Sequence, residues 1–491
     1  MVLGAIAAVA ALYLINVWFC AQSAAFYMPY AYRSSDMHAN LLWAESINKQ
    51  GWLNPSPHHP YVDWMQLVGK YEEWERWWQT PKIFQQSPLY AYVLAGFRAV
   101  SGDLLYPILF QAALAVALCG CLGRIAARIS GNNKAGWIAF GLAGLYAPFH
   151  LYSTMILRDM LAWFITGALL LVLVELQQGA ASPRARRWLS AGAGLLLGLG
   201  FLTRESFFLI VPMVWAVGGW LLWRRNQKLN AGLVVGLTVL TLSPLVIRNA
   251  VVGAPLLSSS NRFAEAFIQG HARGTMASAF VIPPESRQIL ERAQGRSLAV
   301  VRETLATHDH PGTWLQLMGA KLLMLLDPFE MPDNVSFYFM ERISPVIRFG
   351  LEYWMIVVPG IGGLIMSLRK RDQRHLWLWL LLPTLIAGVV LGVALSRYRQ
   401  ILAVLWIPWA GYFLFQLWLQ ARENSRRTAM LAGACVAGWL MVLGPLSRVP
   451  RESYERGAEY FIAAQIYDSM QQPEKAAEMR AILQQHFPVS K

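Results

Sequence analysis

The chain has 491 residues, of which 56% are hydrophobic and only 14% charged, with 21 tryptophans. That composition argues against a soluble globular protein and describes a polytopic membrane protein. The formal net charge of +14 is explained by basic loops and contact with anionic lipid, so nucleic acid is not invoked as a partner.

A membrane span needs about 20 mostly apolar residues to cross about 30 Å of hydrocarbon. By that rule spans are expected near residues 3–22, 104–122, 136–153, 159–176, 188–203, 206–223, 231–248, 350–367, 376–395, 400–420 and 428–446. The expected fold is an all-α integral membrane protein of about 11 transmembrane helices. One alternate set of short loops holds Arg124, Arg128 and Lys134; Arg184, Arg186 and Arg187; Arg224, Arg225 and Lys228; Arg369, Lys370, Arg371 and Arg374; and Arg422, Arg426 and Arg427. Cytoplasmic loops carry such an excess. The N-terminus is therefore expected inside, with residues 23–103, 249–349 and the tail after 447 facing outward. The first apolar stretch lacks a basic flank and an obvious cleavage site, and reads as a retained span.

In the first outer segment, Ser34 and Ser35 can cap a helix that opens with Asp36 and stops at Gly51. Asp36, Asn40, Trp43 and Ile47 then share a face, and the helix dipole favours the ionised carboxylate in the first turn. Such a group serves either as a general base or simply as an N-terminal helix charge. Trp64, Trp74, Trp77 and Trp78 suggest an interfacial amphipathic element, with carbohydrate stacking as the sharper alternative. The chain is expected to re-enter the membrane through Gln86, Ser87, Pro88, Leu89 and Tyr90.

Further along, Arg158, Arg204, Arg397 and Arg399 stand in short outer loops that should be poor in basic residues, and Asp159 and Glu205 lie where burial of charge is costly. For any one of them, pairing of neighbours (Arg158 with Asp159, Arg204 with Glu205) and snorkelling to headgroups is compensation enough. As a set with Asp36 and Arg248 at one membrane level, they match the needs of an anionic, membrane-derived substrate.

The glycines at 192, 194, 198 and 200 lie inside a predicted span and are expected to serve helix packing. In the second outer segment, residues 284–307 read as one amphipathic helix. Trp314 to Leu326 is apolar but too short to span, which suggests a re-entrant or interfacial helix. In the tail, Tyr460, Ala464, Tyr467, Ala476 and Pro488 have the spacing of a single tetratricopeptide repeat. One repeat cannot bury its apolar face alone, so it must dock on the membrane domain or on a protein partner. The expected organisation is a transmembrane domain over 1–447 and an outer helical tail over 448–491. Cys20, Cys119, Cys121 and Cys435 all fall in predicted spans without metal or disulfide spacing, and packing roles are expected.

Seven stretches, in order, resemble the GT-C superfamily of polytopic glycosyltransferases: SSDMHANLLWAESINKQGWLNP, QSPLYAYVL, LYAPFHLYSTMILRDMLAWF, GLLLGLGFLTRESFFL, LVIRNAVVGAPLLSSSN, KLLMLLDPFEMPDN and SRYRQILAVLW. The most similar subgroup is the bacterial dolichyl-phosphate-mannose protein mannosyltransferase-like (family 39-like) enzymes, some of which carry tetratricopeptide repeats. The resemblance covers roughly residues 30–405. It implies a GT-C fold, with two outer segments carrying interfacial helices, in a bacterial inner membrane with the active site facing the periplasm or exterior. It implies Asp36 as catalytic base, Asp159 as the acidic residue at the outer start of the fourth span, and Arg248, Arg397 and Arg399 near a lipid-phosphate donor. Two departures stand out. Met37 follows Asp36 where related enzymes often have Glu, and Thr203-Arg204-Glu205 replaces a common Thr-Arg-Pro element.

The chemistry expected from this resemblance is sugar transfer from a polyprenyl-phosphate donor to a hydroxyl of a lipid, glycan or protein acceptor, with inversion. Outside the cytoplasm there is no nucleotide-sugar pool, and the chain has no GxxxxGK loop. Phosphate is already a good leaving group, so arginines that stabilise its charge can replace a general acid. No cofactor is required. A divalent metal stays open, with His58, His59 and Asp63, or His308, Asp309 and His310, offering ligands. The alternatives are an O-antigen ligase or polymerase, which needs no carboxylate in the first outer loop, and a lipid or solute transporter, which would hold its polar residues near the bilayer midplane.

Overall fold

The computed structural model describes residues 2–57, 71–78, 82–179, 182–277, 281–423, 425–447, 449 and 456–487. Among these every regular element is a helix, and an isolated bridge joins Tyr146 to Leu351. Hydrocarbon offers the backbone no hydrogen-bond partner, so apolar segments satisfy their amides internally as helices. Among the described residues eight helices are long and apolar enough to cross a membrane: Val2–Ala21, Leu105–Ser130, Asp159–Gln178, Phe207–Arg224, Lys228–Val252, Gln373–Val390, Ser396–Glu423 and Ser425–Leu443. A chain with eight such helices is a membrane protein.

Helices also cover the other three predicted spans, in less regular form. Pro183–Thr203 and Tyr353–Lys370 carry basic residues in a terminal turn. The span expected over 136–153 is broken into Asn133–Gly144 and Ala147–Ser153. At the break the Ala147 amide donates to the Leu351 carbonyl at 2.8 Å, and the Leu351 amide donates to the Leu145 carbonyl at 2.7 Å. Pro148, which has no amide to give, sits in the first turn of the second piece.

Two helices form the centre of the bundle. Ser396–Glu423 and Asp159–Gln178 are buried over 78% and 72% of their apolar windows, against 6% for the peripheral Ser425–Leu443. Both central helices begin at the same end of the bundle, where Arg397 Nε lies 3.7 Å from Asp159. The opposite end collects the basic loops. There Glu175 accepts from Arg124 at 3.1 Å and from Arg128 at 2.7 Å, and Arg225 donates to the carbonyls of Leu176 and Gln177. A 20-residue helix separates these two ends, about 30 Å of rise.

Three of the four span glycines pack as expected. A side chain on Gly194 would lie 2.4 Å from the Val234 carbonyl, one on Gly198 would lie 2.5 Å from Thr241, and one on Gly200 would overlap the Phe207 ring, whereas Gly192 faces open space. The helix pair Pro183–Thr203 and Lys228–Val252 is close-packed for this reason. All four cysteines are free.

The outer segments correct two expectations. Residues 284–307 form two helices, Ser286–Ala293 and Ser297–Leu305, because Gln294 and Gly295 both take left-handed backbone at φ +46° and +80°. Any Cβ at Gly295 would sit 2.0 Å from the Trp77 carbonyl oxygen, so the break is built around a close approach of Tyr71–Trp78. Trp78 packs with Phe267, Ile268, Ile289 and Val300 in a small core of its own, and Trp77 joins it. These two indoles therefore serve protein packing. Trp64 lies outside the described residues, as do His58, His59 and Asp63.

The tail folds as two helices, Gly457–Ser469 and Pro473–His486. Tyr460, Ala463, Ile466, Tyr467 and Ala476 join the main core of the bundle, so the tail docks on the membrane domain.

Candidate active site

Asp36 opens the helix Asp36–Gln50, with Ser35 accepting from the His38 amide at 3.2 Å as its cap and Gly51 ending it at φ +78°. Asn40, Trp43 and Ile47 are buried along the same face, and Asn40 ties the helix to the Ile156 carbonyl at 3.0 Å. The bundle thus anchors the helix by this one face, through a hydrogen bond and apolar packing together. The carboxylate of Asp36 is left at the bundle end where the central helices begin.

Arg397 is the hub. Its Nη2 lies 2.8 Å from Asp36, its Nη1 lies 2.9 Å from Asp333, and its Nε lies 3.7 Å from Asp159. Asp159 in turn accepts from Arg204 at 2.9 Å. Both guanidiniums lie 4.9 Å from the ring centroid of Tyr398, whose hydroxyl also accepts from Arg397 Nη2 at 3.0 Å. Asn334 donates to Asp333 at 3.1 Å and to Asp36 at 3.5 Å. The Arg397 and Asp159 side chains are each 4% exposed and those of Asp36 and Arg204 9%, so these four are almost wholly withdrawn from solvent, while Asp333, at 27%, stands at the edge of the network.

The pairing expected between sequence neighbours does not occur. Arg204 pairs with Asp159, and Arg158 with Glu205 at 2.9 Å, each across two chain segments. Successive residues point in different directions, whereas the start of Asp159–Gln178 and the end of Pro183–Thr203 lie side by side. Glu205 also accepts from the Ser87 amide at 2.9 Å, which fastens the first outer segment to the fourth and fifth predicted spans. Burial alone would raise the Glu205 carboxyl, but Arg158 and the amides hold it at about 2, so it is ionised at neutral pH.

The other two arginines lie apart from this hub. Arg248 spends its donors on the carbonyls of Leu53 at 2.9 Å and Asn54 at 2.8 Å, on that of Lys82, and on the Asn249 side chain at 3.0 Å, with Phe84 beneath it. Arg399 donates to the carbonyls of Met324, Asp327 and Phe329 and to Glu330 at 3.0 Å. Glu330 is completed by Gln400 at 2.9 Å, and Gln400 by the Tyr146 hydroxyl. Each of these guanidiniums staples an outer segment to the bundle.

Asp333, Asn334 and Tyr398 join the site without having been singled out by sequence reasoning, although DPFEMPDN and SRYRQ contain them. The signal available was a polar stretch punctuated by Pro328 and Pro332 between apolar helices. Asp36, Asp159 and Asp333 against Arg204 and Arg397 leave one net negative charge when all are ionised. Burial, opposed by Arg397 and reinforced by Asp36, holds the Asp333 carboxyl above the usual range. Glu265, also buried, is held high by the same cause, and Arg262 opposes the shift.

Among the described residues no group of three or more His, Cys, Asp or Glu side chains is placed to hold a metal ion. His308 instead contacts Thr313 and the His271 carbonyl, His310 caps the helix Pro311–Met324, and Asp309 pairs with Arg273. A cleft of about 710 Å³ opens at the opposite end of the bundle, lined by Arg128, Glu175 and Trp188. It contains none of the residues of the hub.

No family model and no curated protein sequence matches the chain. Among solved structures it is similar to the Archaeoglobus fulgidus oligosaccharyltransferase in the apo form, with 12% identity and a TM-score of 0.49 over 99% of this chain and 60% of that one. It is also similar to the archaeal oligosaccharyltransferase AglB from Archaeoglobus fulgidus in complex with an inhibitory peptide and a dolichol-phosphate, with 14% identity and a TM-score of 0.46 over 99% and 60%. A third structure, the Archaeoglobus fulgidus enzyme in complex with Zn and sulfate, gives 13% identity and a TM-score of 0.41 over 82% and 49%. The chain spans 60% of the length of the first two.

Proposed function

We propose that this protein is a GT-C-type glycosyltransferase that moves a sugar from a polyprenyl-phosphate donor to an acceptor hydroxyl at the outer membrane face. The observation that carries the reading is the convergence of Asp36, Asp159, Arg204, Arg397 and Asp333 in one largely buried ion-pair network at a single end of the bundle. A transporter would hold such groups near the bilayer midplane. A ligase that dispenses with a first-segment carboxylate would have no use for Asp36 at the hub.

In the proposed reaction the acceptor oxygen attacks the anomeric carbon while the bond from that carbon to the phosphate oxygen breaks. The acceptor proton passes to the Asp36 carboxylate, and polyprenyl phosphate leaves with the electron pair. A single displacement of this kind inverts the anomeric centre. Arg397 and Arg204 would stabilise the charge that develops on the phosphate, and both are already desolvated, so their effect is larger than in water. Asp159 would orient these two guanidiniums. Arg248 and Arg399 would keep the outer segments in place. The acceptor class is a lipid, a glycan or a protein hydroxyl, and the membrane is the bacterial inner membrane.

Asp36→Asn tests this directly. The amide keeps the shape and loses the base, and general-base contributions run to about 10²- to 10⁴-fold. We expect purified Asp36→Asn protein in nanodiscs to lose transfer while keeping expression and donor binding. Full activity in that variant would return Asp36 to the role of a helix-terminal charge.

A further inference from the structure

The proposed chemistry uses the loop Met331–Ser336, because that loop supplies Asp333 and Asn334 to Arg397 and Asp36. One flank of the loop is held by the bundle, where the Met331 amide donates to Ser396 Oγ at 2.5 Å. The other flank is held by the tail. Arg456 donates through Nη2 to the Asp333 carbonyl at 2.8 Å and through Nη1 to the Pro332 carbonyl at 3.4 Å. The same guanidinium donates through Nε to Glu459 at 2.9 Å, and that carboxylate oxygen accepts from the Ser336 amide at 3.1 Å. Glu459 is fully buried. Next to it Tyr460 meets Phe339 edge-on at 5.4 Å.

Hydrophobic docking of the tail needs only contacts such as Tyr460 on Phe339. A carboxylate sealed beneath the tail is costly unless its bonds are satisfied and specific. Here Glu459 Oε1 accepts from the Ser336 amide and from Arg456, and Arg456 holds the Pro332 and Asp333 carbonyls, so the pair grips the backbone on both sides of Asn334. We infer that the C-terminal helical pair is a positioning element for the candidate active site, with Arg456 and Glu459 setting the loop that presents Asp333 and Asn334 to Arg397 and Asp36. The path is short: Arg456 holds the Asp333 backbone, the Asp333 side chain holds Arg397, and Arg397 holds Asp36. Neither Arg456 nor Glu459 touches substrate in this scheme. The inference rests on the proposed transferase reading only where it speaks of rate, since the placement of the loop is a separate fact.

The test uses the full chain in phosphatidylethanolamine and phosphatidylglycerol nanodiscs, with three variants and two readouts. Hydrogen exchange of the amides from Asp333 to Ser336 reports the loop without any substrate. Release of undecaprenyl phosphate from undecaprenyl-phosphate-hexose in the presence of a cell-envelope extract that supplies acceptor hydroxyls, with its pH profile, reports the chemistry. Arg456→Ala should speed exchange at these amides and lower kcat about ten- to hundredfold, leave KM for the donor within about twofold, and move the acidic limb of the kcat profile as Asp333 relaxes. Arg456→Lys should recover most of both effects. Arg480→Ala, which breaks the ion pair to Asp468 on the far side of the tail, should match wild type. Unchanged exchange in Arg456→Ala, or faster exchange with unchanged kcat and pH profile, overturns the inference. Should Arg456→Ala fail to fold, Glu459→Gln is read against the same outcomes. A wild type that releases no undecaprenyl phosphate counts against the transferase reading, while the exchange data still decide whether the tail sets the loop.

Discussion

At the scale of single residues, Arg397 carries the most. Three carboxylates converge on one guanidinium that is 4% exposed, and removing one partner of a buried ion pair costs about 3–5 kcal/mol because the other charge is left uncompensated. Alanine at this position therefore confounds folding with function, and lysine is the informative change. An ammonium keeps the charge but loses the planar fork that reaches two acids and a phosphate together. We expect Arg397→Lys to weaken donor use by roughly tenfold or more, about 1.4 kcal/mol of transition-state stabilisation. Initial rates against donor concentration measure this, and a variant that matches wild type would show that the fork does not read phosphate. Arg248→Lys and Arg399→Lys should instead lower thermal stability, because their donors are committed to carbonyls of the outer segments. Asp36 was legible in the sequence because its helix has a local cap and a local stop. Asp333 was not, because nothing within DPFEMPDN reveals that a residue 298 positions earlier faces the next side chain, Asn334.

At the scale of elements, the helix Pro311–Met324 shows how a segment too short to span is secured. Lys321 is buried, and its amine donates to the carbonyls of Val390 at 3.0 Å and Gly392 at 2.7 Å, at and just beyond the end of the helix Leu376–Val390. Burial lowers its pKa to about 7. A neutral amine still has two N–H donors, enough for both carbonyls. Between pH 7 and the ordinary lysine value of about 10.4, the unfolded chain binds the proton that the folded protein releases, so stability rises with pH across that window. Below about pH 7 both states hold the proton and the contribution is flat. We expect the melting temperature in detergent to climb from pH 7 toward pH 9.5 in wild type and to lose that slope in Lys321→Met. An identical slope in the variant would assign the pH dependence to other groups. The apolar run of this helix was readable from sequence. The division of 284–307 was not, since the break answers to Trp77, which reaches Gly295 from more than 200 residues earlier.

At the scale of the whole molecule, the two ends of the bundle differ in kind. One carries the Asp36 and Arg397 network and the docked tail, and the other carries the basic loops around Glu175. By the positive-inside rule the basic end is expected in the cytoplasm. In a cysteine-free background, cysteines at the exposed positions Ser56 and Ser469 should react with an impermeant maleimide from outside, and one at exposed Ser182 should not. Reversed labelling would place the ion-pair network in the cytoplasm and remove the reason for a lipid-linked donor. The sequence alone determined the helical segments, their expected orientation and the capped helix that begins at Asp36, because hydropathy, loop charge and capping act within a few turns of chain. Only the tertiary structure decided which arginine pairs with which acid, that Arg248 and Arg399 staple backbone, that Asp333 completes the hub, and that the tail reaches the loop beside it. Those contacts join residues hundreds of positions apart, and a buried charge takes the partner that packing brings within about 3 Å, not the one beside it in sequence.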